Sequence, residues 1–159
     1  MLFSVGDRLL HPLHGAGTIT EISVKKQGQC YYALHLVLDD VVLYIPVQNS
    51  EQVGLRPICS KQQAQRILQG EIGPLPDQSP RWNERYRQNM ERLRSGDIVQ
   101  VAQLVCCLHI RNRRRTLAGS EKRMLECAER ILYSELMLAS GLSYDCVQKQ
   151  LEQLWQKQR

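Results

Sequence analysis

The spacing of apolar and polar positions changes near residue 60. Before it, short apolar runs alternate with turn residues. Arg8–His11, Gly17–Ile22, Cys30–Leu38 and Val41–Pro46 predict four strands. Asp39-Asp40 lies between the last two, where a tight hairpin turn fits. Gly15 and Gly17 flank another turn, at positions that call for positive φ or a close backbone approach.

After residue 60 the spacing becomes helical. Ser60 caps a predicted helix running to about Gln69 and stopped by Gly70. Gly73-Pro74-Leu75-Pro76 to Pro80 breaks the period and reads as a linker or long loop. Ser79-Pro80 predicts a helix start, because proline suits the first helical position. The stripe Trp82, Tyr86, Met90, Leu93 follows at helical spacing. Ser95-Gly96-Asp97 restarts a helix with Ile98, Val101, Leu104, Val105 and Leu108 on one face. Gly119-Ser120-Glu121 opens the longest helix, which carries Leu125, Ala128, Ile131, Leu132 and Leu136 and closes near Gly141. Ser143 caps a last helix with Val147, Leu151 and Leu154. The expectation is an α+β chain: a small β-barrel of Tudor or SH3 type, then a compact all-α domain. Its expected parts are a β domain over 1–59, a connecting helix and linker over 60–78, and a helical domain over 79–159.

Charge separates the same two halves. The 159 residues carry a formal net charge of +5. Residues 1–59 hold four basic and five acidic residues, and residues 60–159 hold 17 and 11. A near-neutral β half and a basic helical half imply two surfaces with two tasks. The six cysteines form no C-x-x-C pair. The start, Met1 to Asp7, lacks the charged and apolar segments of a signal peptide, so the chain reads as reduced and cytoplasmic. No stretch is apolar for the 18 residues of a membrane span.

Little in the sequence points to catalysis or metal. His11-Pro12-Leu13-His14 is a turn with no third ligand at a recognisable spacing, so a structural reading outweighs a metal site. Cys106 and Cys107 point about 100° apart on a helix and read as buried thiols. There is no phosphate-binding glycine loop and no nucleophile paired with a base, so neither an enzyme nor a cofactor is expected. The run Arg111, Arg113, Arg114, Arg115, read as lying between two helices, suits phosphate contact or a solvated loop equally. Lys122 and Arg123 begin the next helix, where the dipole already favours an anion. Arg81, Arg85 and Arg87 surround Trp82. A flat ring among cations can stack on a base or wedge a base step, although from the residues alone packing is the leading account.

Four blocks carry a family resemblance. They are Phe3–Arg8 with His11–Gly17; Ile45–Glu51 with Val53–Arg56; Trp82–Tyr86 with Leu93–Asp97; and Gly119–Leu125 with Ile131-Leu132 and Ser134–Leu136. In this order the chain resembles the CarD/CdnL bacterial transcription regulators along nearly its whole length. The resemblance implies a Tudor-like domain, related to the polymerase-interacting module of transcription-repair coupling factors, that binds the lobe of the RNA polymerase β subunit. Lys25, Tyr44, Ile45 and Pro46 fall at that contact. It implies that the helical domain meets promoter DNA in the minor groove at the upstream edge of the −10 element, with Trp82 as the wedge that holds the bubble open. Arg85, Arg87, Arg114, Lys122 and Arg123 are then the expected phosphate contacts. The chain departs from the family at Glu84, where many members carry a basic residue, at Tyr44, which is arginine in some, and at Cys106–Ile110, which replaces a more charged stretch.

The expected function is stabilisation of the promoter open complex by a cytoplasmic, monomeric, non-enzymatic factor that reaches the nucleoid through RNA polymerase. The main rival is a protein-interaction adaptor whose basic helices bind an acidic protein. A second rival is a small hydrolase or redox protein using the His or Cys residues.

Overall fold

A computed structural model describes residues 2–158. The strands are β1 (Arg8–His11), β2 (Gly15–Val24), β3 (Cys30–Leu36), β4 (Val42–Pro46) and β5 (Arg56–Pro57). They form one antiparallel sheet in the order β4-β3-β2-β1-β5, so β4 and β5 are its edges. The β3–β4 hairpin turns at the acidic pair, where Asp40 takes φ 50° and the Leu36 N–H donates to the Val41 carbonyl at 2.9 Å. The two predicted glycine positions have different reasons. Gly15 has φ 98°, and a Cβ there would lie 2.8 Å from Ser134 Oγ. Gly17 has no such φ, but a Cβ would collide with the His35 carbonyl oxygen across the sheet.

A short helix α1 (Ser50–Val53) precedes β5. The helical half comprises α2 (Lys61–Leu68), α3 (Trp82–Arg94), α4 (Ile98–Arg114), α5 (Gly119–Ser140) and α6 (Tyr144–Lys157). Three starts carry side-chain caps: Ser60 accepts from Gln63 N–H, Asp97 from Val99 N–H and Ser143 from Cys146 N–H. Such caps satisfy N–H groups that a helix start leaves without partners. The segment read as a connection is packed in place. Ala64, Ile67 and Leu68 of α2, and Ile72 beyond it, lie in the helical core.

Successive residues of β1 serve two cores. Leu9 faces the sheet's own interior with Ile19, Tyr32, Leu34, Leu36, Ile45 and Leu55. Leu10, on the opposite face as strand alternation requires, joins Ala16 in the helical core with Ile131, Leu132 and Leu136. The outer face of β1 and β2 is therefore covered by α5. Polar groups reinforce the joint. Ala16 N–H donates to Ser134 Oγ at 2.8 Å, and the Arg8 guanidinium donates to the Leu138 carbonyl at 2.8 Å. Arg56 donates two bonds to the buried Glu135 carboxylate, which also accepts from Cys59 N–H at 2.7 Å. The β and helical halves are one packed body.

Candidate nucleic-acid interface

The start of α3, the end of α4 and the start of α5 meet at one end of the helical half. Their junction is an ion-pair cluster. Glu121 Oε2 lies 3.5 Å from Arg85 Nε and 3.6 Å from Arg111 Nε. Arg85 is only 3% exposed and Glu121 4%. A carboxylate at this depth needs a cation beside it, and the two guanidiniums supply that. Arg85 also donates to the Ser79 carbonyl at 3.1 Å, which holds the turn before α3.

This corrects the expected role of Arg85. It is a buried side chain that ties three segments together, and it does not reach the surface that Trp82 occupies. The apolar stripe chosen from the sequence is also rotated. The buried residues of α3 are Arg85, Asn89 and Leu93, while Tyr86 and Met90 are half-buried and Trp82 is exposed. Asn89 has its partners in Gln78 and Arg92, so a polar face can be buried here.

Trp82 stands at the first turn of α3, 42% exposed. One face stacks on Tyr86, with ring centroids 5.1 Å apart and planes tilted by 15°. The other is free. This excludes a core tryptophan. Glu84, the acid near the ring, is turned back: Ser79 Oγ donates to its carboxylate at 3.2 Å. The α3 helix begins two residues later than Pro80 predicts, with Arg81 at the cap position and no side-chain cap.

The arginine run belongs to the last turn of α4, not to a loop between helices, and ends at Arg115. Its members do different things. Arg111 pairs with Glu121. Arg113 donates to the carbonyls of Gln156 at 3.0 Å and Gln158 at 2.6 Å, closing the end of α6. Arg114 and Arg115 are exposed and make no side-chain ion pair among the described residues, and the same holds for Lys122 and Arg123 at the start of α5. Arg87 is exposed but paired with Glu91 at 3.0 Å. Among the described residues the exposed cations of this end without an ion pair are thus Arg81, Arg114, Arg115, Lys122 and Arg123.

The second candidate surface is β4. It pairs only with β3 and leaves its other edge open. Val42 and Tyr44 are exposed, and Lys25 Nζ sits 4.8 Å from the Tyr44 ring centroid, a cation–π arrangement. The structure brings Lys25 and Tyr44 together although 19 positions separate them. Ile45 is different: its side chain is buried in the sheet core, opposite Tyr32 of β3. Pro46 is half-buried.

His11, Cys59, Cys106 and Cys107 have structural surroundings. His11 Nδ1 accepts from Leu13 N–H at 3.1 Å and His14 N–H at 3.3 Å, which closes the turn. Burial, helped by the neighbouring His14, lowers its pKa to about 4. Burial pushes the Cys59 thiol up to about 12, with the Glu135 carboxylate adding to it. Burial likewise pushes Cys106 to about 12 and raises Cys107. These groups are thiols rather than thiolates at neutral pH. Among the described residues no group of three or more His, Cys, Asp or Glu could hold a metal, and no helix is long and apolar enough to cross a membrane.

Fold and surfaces together define a two-module α+β protein, with an open strand edge on one module and a basic end with a projecting aromatic ring on the other. Comparison with known proteins resolves the class. Residues 3–59 match the family described as CarD-like/TRCF RID domain, and residues 63–152 match CarD, C-terminal domain. The chain belongs to the CarD family and is a CarD-like transcription factor. It is 28% identical over 145 residues to a Bacillus subtilis (strain 168) protein named "Putative transcription factor YdeB", covering 89% of this chain and 95% of that one.

Proposed function

We propose that the protein binds the RNA polymerase β subunit through the open edge of β4 and contacts promoter DNA with the basic end of the helical half, thereby stabilising the open complex. The polymerase contact would centre on Lys25 and Tyr44, with the open β4 edge offering strand pairing, Pro46 through its carbonyl alone, and Ile45 holding the strand in place from the sheet core. The DNA contact would lie at the upstream edge of the −10 element. There Trp82 would enter the minor groove while Arg114, Lys122 and Arg123 meet phosphates and Arg87 stays near them on its exchangeable surface pair.

The observation that carries this reading is the position of Trp82. An aromatic ring of this size is normally placed in the core for its apolar area. Here the ring is stacked on Tyr86 and left 42% exposed, on the helix start that the Arg85–Glu121–Arg111 cluster ties to the basic ends of α4 and α5. A wedge must pay a few kcal/mol to unstack a base step, less where the duplex is already opening. It therefore favours melted over closed DNA, and the open complex gains the difference. Tethering on polymerase raises the local concentration of the basic end, so its intrinsic DNA affinity can be weak. The shared core fixes the distance between the two contacts. On this reading the protein acts as a monomer in the cytoplasm and performs no catalysis.

The test is the lifetime of a polymerase–promoter open complex with wild-type protein, with Trp82→Ala and without either. Wild type should lengthen it, and Trp82→Ala should bind polymerase equally but lose most of the gain, about tenfold for 1.4 kcal/mol. Equal lifetimes for wild type and no protein would sink the proposal. The rival adaptor reading predicts that outcome, with the basic end binding an acidic protein instead.

A further inference from the structure

A groove of about 520 Å³ lies between residues 75–78 and the last turns of α4, lined by Leu75, Pro76, Asp77, Gln78, Cys107, Ile110, Arg111, Arg114 and Arg115. Its size is that of a small-molecule site. Its outer wall is irregular backbone, yet that wall is held. Gln103 Nε2 donates to the Ile72 carbonyl at 2.7 Å and to the Pro74 carbonyl at 3.4 Å. Gln78 and Asn89 exchange two amide hydrogen bonds at 3.1 and 3.3 Å. The groove is thus built into the fold and is not a gap beneath a free linker.

Its lining is divided by chemistry. Leu75, Pro76, Cys107 and Ile110 give an apolar surface on which a flat ring can lie. Asp77 places a carboxylate at one side, able to accept from the edge of a heterocycle, and the Gln78 amide beside it keeps one N–H beyond its pair with Asn89. Arg114 and Arg115 place two guanidiniums at the other, without ion-pair partners among the described residues, and Arg111 is half-neutralised through Glu121. The negative end of the α4 dipole opposes an anion here with about half a charge, which two full cations outweigh. A plain anion site would not need the apolar surface, and an apolar ligand would not need the arginines.

We propose that this groove binds a nucleotide unit, its base against Leu75, Pro76 and Ile110 with its edge toward Asp77 and Gln78, and its phosphate at Arg114 and Arg115. Guanidinium groups suit both parts, since they donate in pairs to phosphate oxygens and stack on base planes. The unit can come from a free nucleotide or from an unpaired DNA strand. The groove shares Arg114 with the proposed promoter contact but is distinct from the wedge: Trp82 does not line it, and Arg115, Leu75 and Ile110 have no part in that contact.

The experiment is a titration of the full chain, without polymerase, against four probes at one salt concentration: ADP, GDP, a short single-stranded oligothymidylate and inorganic phosphate. At least one nucleotide-bearing probe should bind saturably, about tenfold or more tighter than inorganic phosphate. Arg115→Glu, an exposed position just past the end of α4, should weaken that binding about tenfold or more with an unchanged melting temperature. Leu75→Asp should weaken it too, by placing a charge under the base. Trp82→Ala should leave free-nucleotide binding intact. Binding of ADP or GDP but not the oligonucleotide assigns a free nucleotide; the reverse assigns an unpaired strand. No binding of any nucleotide probe, no preference over inorganic phosphate, or indifference to Arg115→Glu overturns the proposal. None of these results bears on open-complex lifetime, so the two readings fail separately.

Discussion

Arg56 and Glu135, 79 positions apart, meet in a two-pronged ion pair at 2.7 and 2.8 Å that joins β5 to α5. The Glu135 residue is wholly buried, and its carboxylate also holds the backbone after β5 through Cys59 N–H. The Arg56 side chain reaches onward to the Gly96 carbonyl in the turn between α3 and α4. Removing one partner of a buried pair leaves the other charge without compensation. Glu135→Ala should therefore cost about 3–5 kcal/mol, read by equilibrium denaturation. A loss below about 1 kcal/mol would mean that the apolar contacts alone hold the two halves together.

His11 makes stability fall in mild acid. Its ring accepts two backbone N–H bonds through Nδ1, which only the neutral form with the proton on Nε2 can do. The folded pKa is lowered to about 4 from 6.5, so the unfolded chain takes up the proton first. The contribution is complete above about pH 6.5 and is lost as pH falls toward 4, by at most about 3 kcal/mol. Denaturation midpoints of wild type and His11→Asn across that window should converge as the pH drops. Parallel curves would exclude His11 as the source.

Trp82→Ala separates packing from function. A fully buried tryptophan costs about 3–5 kcal/mol when truncated. The Trp82 ring is partly exposed and loses mainly its stack on Tyr86, worth about 0.5–1.5 kcal/mol. Circular dichroism melting should show only a small shift alongside a clear promoter defect. A large melting shift with no promoter defect would make it a packing residue.

Lys25→Glu should weaken polymerase retention while barely changing stability. The lost cation–π contact with Tyr44 is worth about 0.5–1 kcal/mol at an exposed site. A pull-down of polymerase by full-length wild type and variant measures the first, and thermal melting the second. Undiminished retention would place the polymerase contact elsewhere.

Lys122→Ala tests the basic end. If Lys122 meets a phosphate, the slope of log binding constant against log salt should become shallower by about one, with affinity reduced alike for unrelated sequences. An unchanged slope would remove Lys122 from the contact.

Much of this architecture is legible in local pattern. The apolar runs Arg8–His11 and Cys30–Leu38 marked strands, and Asp39-Asp40 marked the hairpin. Ser60 and Ser143 marked helix starts because a short polar side chain is what the free N–H groups of a first turn require. What local pattern could not decide is where each charge goes. Arg85 and Arg87 look alike in the sequence, yet one is buried against Glu121 and the other exposed beside Glu91. Arg113 and Arg114 are adjacent, yet one closes α6 and the other stays free. The same holds for the groove, whose walls come from a proline-rich loop and an arginine run about 35 positions apart. Periodicity reports only which face a residue occupies on its own element. The partner that neutralises a guanidinium, or the wall that turns a helix end into a groove, is brought from a distant part of the chain by packing. So the sequence by itself determined most of the elements and the family resemblance, and the tertiary structure decided where α1 and β5 form and which cations remain free to bind.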